Sequence, residues 1–132
     1  MATYNNKKTK AKENVPEDEL PAINCKRKDM LNLSLQDYLK YRDPIMQGFI
    51  KVSKILFENH IFTARDLPYN TQLIPMAAIL AVLGDKVDNI GYKKKLMHWF
   101  WCGVFGELYG SANETRYTLD LPQVVNWIEN NG

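Results

Sequence analysis

Long apolar runs are missing from this chain. None reaches the roughly 18 residues that cross a bilayer, and the start, Met1-Ala2-Thr3-Tyr4-Asn5-Asn6-Lys7-Lys8, lacks the apolar stretch of a secretory signal. The sequence therefore reads as cytoplasmic, with no membrane partner. Cysteine is scarce: Cys25 lies among polar residues and Cys102 in the most hydrophobic segment. A bridge between them would tie a polar arm to an expected core position, and a cytosol keeps thiols reduced, so both read as free. No Gly-Lys-Ser/Thr sequence is present to cradle a phosphate. The two histidines, His60 and His98, have no His, Cys or carboxylate at the spacing of a zinc site. Ser111 has no neighbouring base, and Glu107 and Glu114 straddle a loop with no spacing that makes them converge. The residues name no catalytic group, no metal and no cofactor.

Charge of one sign is also lacking where it would count. The net +2 falls entirely on residues 1–29, and residues 30–132 sum to zero. The body thus has no global excess to drive counterion release from a nucleic acid. Residues 1–29 carry Lys-rich and Glu/Asp-rich pieces, Pro16 and Pro21, and few large apolar side chains. Such a composition buries too little to offset the entropy of ordering. They read as a polar arm or linker, flexible and continuing from a preceding domain of a longer protein. An extended arm packing over the body through Leu20 and Ile23 is the alternative.

Strand signals are weak, and what is present is helical. Ser34-Leu35-Gln36-Asp37 has the shape of a capping box. A short helix to about Tyr41 follows, and Asp43-Pro44 then restarts the chain as N-cap and first helical residue. From there Ile45, Phe49, Val52 and Leu56 form a stripe at helical spacing, widened by Met46, Ile50 and Phe57. Met76 to Leu83 is apolar on nearly all sides, which places it at the centre of a bundle, with Thr71 before it as cap and Gly84 as its stop. A helix from about Gly91 to Tyr109 puts Leu96, Phe100, Gly103 and Val104 on one face and Trp99, Cys102, Gly106 and Tyr109 on another, with the glycines admitting a close neighbour. Asp120 caps a last helix that has Pro122 in its first turn. The expected fold class is all-α, a compact bundle of four to five helices over residues 30–132 with a polar, flexible N-terminal arm over 1–29. Its shared interior is Met76–Leu83 with Trp99–Phe105.

Two groups could bind. Lys93, Lys94 and Lys95 stand at a helix start, where amide groups favour an anion; equally they form a solvated first turn beside Asp85 and Asp88. The aromatic cluster Trp99, Phe100, Trp101, Phe105 and Tyr109 could stack bases, although its helical spacing in a neutral body fits core packing.

The segments Asp66-Leu67-Pro68-Tyr69-Asn70-Thr71-Gln72-Leu73-Ile74-Pro75 and Trp99 to Thr115 resemble the helical portion of the domain-of-unknown-function family 262. These are the proteins of GmrSD-type, modification-dependent restriction and phage-defence systems. In that family a leucine-proline-tyrosine turn leads into an apolar helix, and a tryptophan-rich helix ends in an aromatic loop. The resemblance covers roughly residues 29–132. It implies a domain that supports a neighbouring ParB-like nucleotide-hydrolysing or nuclease domain and helps engage DNA through the parent protein. Its partner is then the preceding domain of the same chain. The family's Asp-Gly-Gln-Gln-Arg motif and His-Asn-His nuclease are absent here, and Leu108 stands where relatives commonly carry Arg. On this resemblance Leu67, Pro68, Tyr69, Trp99, Trp101 and Phe105 are structural signatures. Tyr109, Ser111 and Asn113 then belong to the loop that faces a partner. Trp101 is expected to be buried, so that truncating it costs about 3–5 kcal/mol. The alternative is a stand-alone helical protein-interaction module.

Overall fold

The computed structural model describes residues 1–110 and 114–130, with Arg27 described by its backbone alone. Six helices follow one another: α1 (Ala2–Lys12), α2 (Arg27–Met30), α3 (Leu35–Glu58), α4 (Leu73–Leu83), α5 (Ile90–Phe105) and α6 (Glu114–Asn130). Short 3-10 turns at Glu17–Glu19, Ala64–Asp66, Asn70–Gln72 and Gly84–Asp88 punctuate them, and no strand occurs among the described residues. The all-α bundle expected from the apolar spacing is what forms.

The centre is α4. Met76, Ala77, Ile79, Leu80 and Leu83 are buried on it, and it packs against both α3 and α6. Its mean composition explains the position, since a helix with no polar face has nowhere else to go. Gly84 ends it at φ +58, a left-handed value that a Cβ would strain. Lys51 Nζ donates to the Gly84 carbonyl at 3.0 Å and so satisfies one of the exposed helix-end acceptors. Thr71 is not the cap expected for α4. It lies within the Asn70–Gln72 turn, and Gln72 precedes the helix without capping it through its side chain.

The largest difference from the sequence reading is in α3. The chain does not restart at Asp43: the helix runs unbroken from the Ser34 cap, where the Oγ accepts from the Asp37 amide at 3.1 Å, to Glu58. Pro44 sits in its interior. An interior proline removes one backbone donor and costs roughly 3 kcal/mol. The helix continues because Gly48, Val52, Ile55 and Leu56 fasten its second half to α4. At about 1.5 Å per residue α3 is more than twice as long as α4, so much of it runs past its partner.

Asp120 is likewise internal to α6, which begins at Glu114, and Pro122 lies inside the helix. The helix from Gly91 is shorter than expected, ending at Phe105. Gly106 is its C-cap, with the amide bonded back to Cys102 and Val104.

Residues 1–29 include helix α1 and side-chain contacts with the body. Helix α1 has no buried residue, but Tyr4 packs against the core. Thr3 Oγ1 donates to the Asn24 carbonyl at 3.0 Å and accepts from the Asn24 amide at 3.1 Å. Cys25 Sγ lies 3.2 Å from the Glu114 carbonyl, which ties the segment to the start of α6. Leu20 and Ile23, the expected anchors, are half-buried.

The connector after α3 is organised by one carboxylate. Asp66 Oδ2 accepts from the amides of Phe62 and Thr63 at 3.1 and 2.9 Å, and these bonds hold its carboxyl below the usual Asp range. A carboxyl whose folded value is depressed stabilises the turn at pH above its unfolded value. That contribution is lost as pH falls through the folded value. The Phe62 and Thr63 amide resonances are therefore expected to move in an acid titration with a midpoint below that of a free Asp. A midpoint at or above the free value would remove the carboxylate from this role.

Candidate functional site

The two linked motifs of the sequence meet on one side of the bundle. The Tyr69 ring approaches Gly110, where a built Cβ would lie 3.8 Å from its Cε1. Thr71 Oγ1 donates to the Tyr109 carbonyl, and Tyr117 on α6 donates its hydroxyl to the Thr71 carbonyl at 2.9 Å. Gln72 is fully buried, and its Nε2 donates to the Phe100 carbonyl at 3.1 Å. Gly103 makes this possible: a Cβ there would sit 2.5 Å from Gln72 Nε2 and 3.2 Å from Tyr109 Cε2. The turn that opens α4, the end of α5 and the first half of α6 are thus fastened by polar side chains rather than by apolar contact alone.

At the centre of this junction lies Tyr109. It is buried, its ring stands edge-on to Trp99 and stacks on Tyr117, and its hydroxyl donates to Asp120 Oδ2. Asp120, also buried, is paired through Oδ1 with Arg116 Nε at 3.1 Å, one helical turn away. Burial, and next the bond to Asp120 and its charge, push the Tyr109 hydroxyl far above the ordinary tyrosine range. It therefore stays a proton donor over the whole physiological range. A donor locked onto a buried carboxylate, with a guanidinium balancing the charge, is built for holding helices in register. Gln72 Oε1, Trp99 Nε1 and Arg116 Nε are buried without a hydrogen-bond partner among the described residues, Arg116 Nε lying beside Asp120 Oδ1 as a charge pair.

The sequence-predicted residues divide sharply. Trp99 is in the interior, packed with Tyr109, while Leu67 and Tyr69 are half-buried against the core and Pro68 is exposed. Trp101 and Phe105 are not interior residues. Trp101 is 36% exposed and Phe105 81%, and their rings stack on each other at 6.0 Å on the outer face of α5. Cys102, expected in the core, is exposed beside them. Helical periodicity grouped these residues with Trp99 and Phe100, but only the side of α5 that carries Leu96, Met97, Trp99, Phe100 and Gly103 is buried, and α5 packs against α6 and the Gly84–Asp88 turn. Tyr109, expected in a partner-facing loop, is buried; Ser111 and Asn113 lie outside the described residues.

The three lysines do not converge on one point. Lys93 Nζ lies 3.6 Å from Glu58 Oε1. Lys95 Nζ reaches the carbonyls of Trp127 and Ile128 near the end of α6, at 3.3 and 3.2 Å, and sits over the Trp127 ring. A cation there satisfies the carbonyl end of the helix dipole. Lys94 is exposed. Asp85, expected beside this run, is paired with Lys51 at 3.6 Å. A phosphate clamp made by all three ammonium groups is not what the geometry provides. Two of them are structural.

Arg116, Asp120 and Gln72 were missed as a group. The signal was there in part: an acid among Leu121, Val124, Val125 and Ile128, with an arginine four residues before it, marks a paired buried charge. Among the described residues no three His, Cys, Asp or Glu side chains gather as a metal site, and no helix is long and apolar enough to cross a membrane.

No family model matches the chain, and no solved structure matches it. A stretch of 37 residues, 28% of the chain, is 40% identical to part of an uncharacterized protein of Methanocaldococcus jannaschii. Those residues make up 6% of that protein, so the match spans a small part of a much longer polypeptide.

Proposed function

We propose that this chain is a non-catalytic helical domain of a larger, cytoplasmic, GmrSD-like modification-dependent restriction or phage-defence protein. It braces a ParB-like nucleotide-hydrolysing or nuclease domain of the same parent chain and contributes to engaging DNA. The observation that carries this reading is the Trp101–Phe105 stack. A free domain gains little from leaving the Phe105 ring and the outer part of Trp101 in water, whereas a domain with a neighbour gains a large apolar anchor. Lys94 and His98 lie on the same face of α5, two turns and one turn before Trp101 respectively, and both are exposed. An ammonium beside stacking rings also suits a nucleic-acid strand. Recurrence of a short stretch of the chain within a far longer protein agrees with a module of a larger polypeptide.

The test compares the chain alone with the chain joined to the polypeptide encoded before it. Trp101→Ser should cost the isolated chain about 1–2 kcal/mol, from the lost contacts with Phe105 and Phe100, rather than the 3–5 kcal/mol of a fully buried tryptophan. In the joined protein the same change should open the domain junction to limited proteolysis and weaken duplex DNA binding measured by anisotropy. A full-sized loss of melting temperature in the isolated chain, with an unaltered junction, would reject the surface role. Absence of an Asp-Gly-Gln-Gln-Arg stretch in the adjoining reading frame would reject the family assignment. The second reading, a stand-alone interaction module, is favoured by the long apolar face of α3, and a joined protein with no change at α5 would support it.

A further inference from the structure

Positive charge is concentrated at one end of the chain. Lys7, Lys8, Lys10 and Lys12 all fall in α1, and no Asp or Glu precedes Glu13. The helix is fastened near its start, where Thr3 bonds to Asn24 and Tyr4 packs against the core. Beyond that turn it projects: every residue from Lys8 to Asn14 is exposed. Asn14, at φ +59, turns the chain back, and the Val15 amide bonds to the Lys10 carbonyl at 3.4 Å. Acids follow at Glu13, Glu17, Asp18 and Glu19, yet among the described residues none of them pairs with a lysine of α1. Lys8 and Lys12 stand one turn apart, a spacing at which like charges destabilise a helix. An 11-residue helix with no buried residue has little to offset that. Lys10 and Lys12, in the last turn, suit the helix dipole; Lys7 and Lys8 lie before that turn.

We infer that the projecting half of α1 binds the phosphate backbone of a nucleic acid, without regard to base sequence. Backbone contact needs cations and small polar groups, because its free energy comes from released counterions and from hydrogen bonds to phosphate. Exposed Lys8, Lys10 and Lys12 supply the first, and exposed Asn6 and Thr9 the second. Other polyanions fit less well. An anionic lipid surface takes up a helix through an apolar face. The one large apolar side chain on α1, Tyr4, is packed against the core instead. An acidic protein surface is held through aromatic and arginine anchors, and the exposed half of α1 carries neither. The inference rests on the DNA-engaging reading above for its choice of a duplex. It adds a contact on a different helix from the Trp101–Phe105 stack.

The test titrates a labelled duplex of about 20 base pairs with the full chain, by anisotropy, between about 20 and 200 mM salt. The logarithm of the affinity should fall against that of the salt with a slope of about −3, roughly a thousandfold over the range. The variant Lys8→Gln/Lys10→Gln/Lys12→Gln should bind about tenfold or more weakly at the lowest salt and flatten the slope to about −1. Its far-ultraviolet spectrum should match the parent's, since glutamine and lysine have similar helix propensity. Lys8→Arg/Lys10→Arg/Lys12→Arg should keep both affinity and slope. Phosphatidylserine vesicles, and polyglutamate of matching charge, should bind about tenfold or more weakly than the duplex. A chain that ignores the duplex at the lowest salt overturns the inference, as does a glutamine variant with the parent's slope. Vesicles or polyglutamate bound as tightly as the duplex overturn the choice of a nucleic acid. Trp101→Ser in the same assay reads the α5 contact separately. Binding lost there but kept in the glutamine variant overturns this inference and leaves the earlier proposal standing. Binding lost in the glutamine variant but kept in Trp101→Ser supports this inference and counts against the α5 contact.

Discussion

Replacing Asp120 with alanine is expected to be the most damaging polar substitution in the chain, lowering stability by about 2–4 kcal/mol and the melting temperature by roughly 10 °C. Three effects add. Asp120 is 2% exposed, so removing its carboxylate leaves Arg116 without the charge that compensates it. Losing one member of a buried pair costs about 3–5 kcal/mol. That figure is an upper bound here, because a third of the Arg116 side chain is exposed and water can take up part of the loss. The Tyr109 hydroxyl, held protonated and buried, also loses its acceptor, which adds about 1–3 kcal/mol when no other partner is reached. Asp120→Asn should be milder, since the amide oxygen can still accept from Tyr109. A double-mutant cycle of Tyr109→Phe with Asp120→Ala isolates the bond itself, and its coupling is expected near 1–2 kcal/mol. Coupling close to zero, or an Asp120→Ala melting curve like that of the parent, would show that Tyr109 and Asp120 do not act together.

That network also shows where a single sequence stops being informative. Helix α4 was legible at once, because Met76 to Leu83 has no polar face and Gly84 supplies a stop. Core residues of α5 such as Leu96 and Phe100 were legible from spacing. Spacing alone could not say which of two adjacent apolar arcs meets the bundle. That depends on where α6 and the Gly84–Asp88 turn lie, and spacing groups Trp101 and Phe105 with the interior although they stack on the outer face of α5. Pro44 carried a true local signal, since proline favours a first turn, but tertiary contact along α3 outweighs the cost of holding it inside the helix. Asp120 was similarly ambiguous. An Asp before Leu-Pro has the form of a cap, and only the arrival of Tyr109 and Arg116 from either side makes it a buried acceptor. Helix α1 has no apolar period at all. Its attachment through Thr3, Asn24 and Tyr4 joins residues far apart in the sequence, which no window along the chain contains.

Gly48→Ala tests the closest approach in the fold, and its sign is the point. Within a helix interior, alanine in place of glycine should stabilise by about 1 kcal/mol from backbone entropy alone. Gly48 is buried where α3 meets α4, and a Cβ there would collide with the Ala77 carbonyl oxygen, with the Ala77 carbonyl carbon only 3.2 Å away and the Ala81 Cβ at 3.5 Å. The obstacle is backbone inside a helix, so no rotamer change relieves it. The helices must move apart, and Val52, Ile55 and Leu56 lose part of their contact with α4 as they do. Overpacking of this kind costs about 1–3 kcal/mol or more, enough to reverse the propensity gain. The expected result is a net loss of about 1–2 kcal/mol in denaturant unfolding. Truncating Ala77 to glycine in the same chain should not rescue it, because the collision is with the carbonyl and not with the Ala77 methyl. Gly103→Ala offers the contrast: its Cβ meets the amide end of Gln72, which can shift by giving up its bond to the Phe100 carbonyl. An unfolding curve in which Gly48→Ala gains the propensity value would mean that α3 and α4 stand further apart than they do here, and that the interior is held by side chains alone.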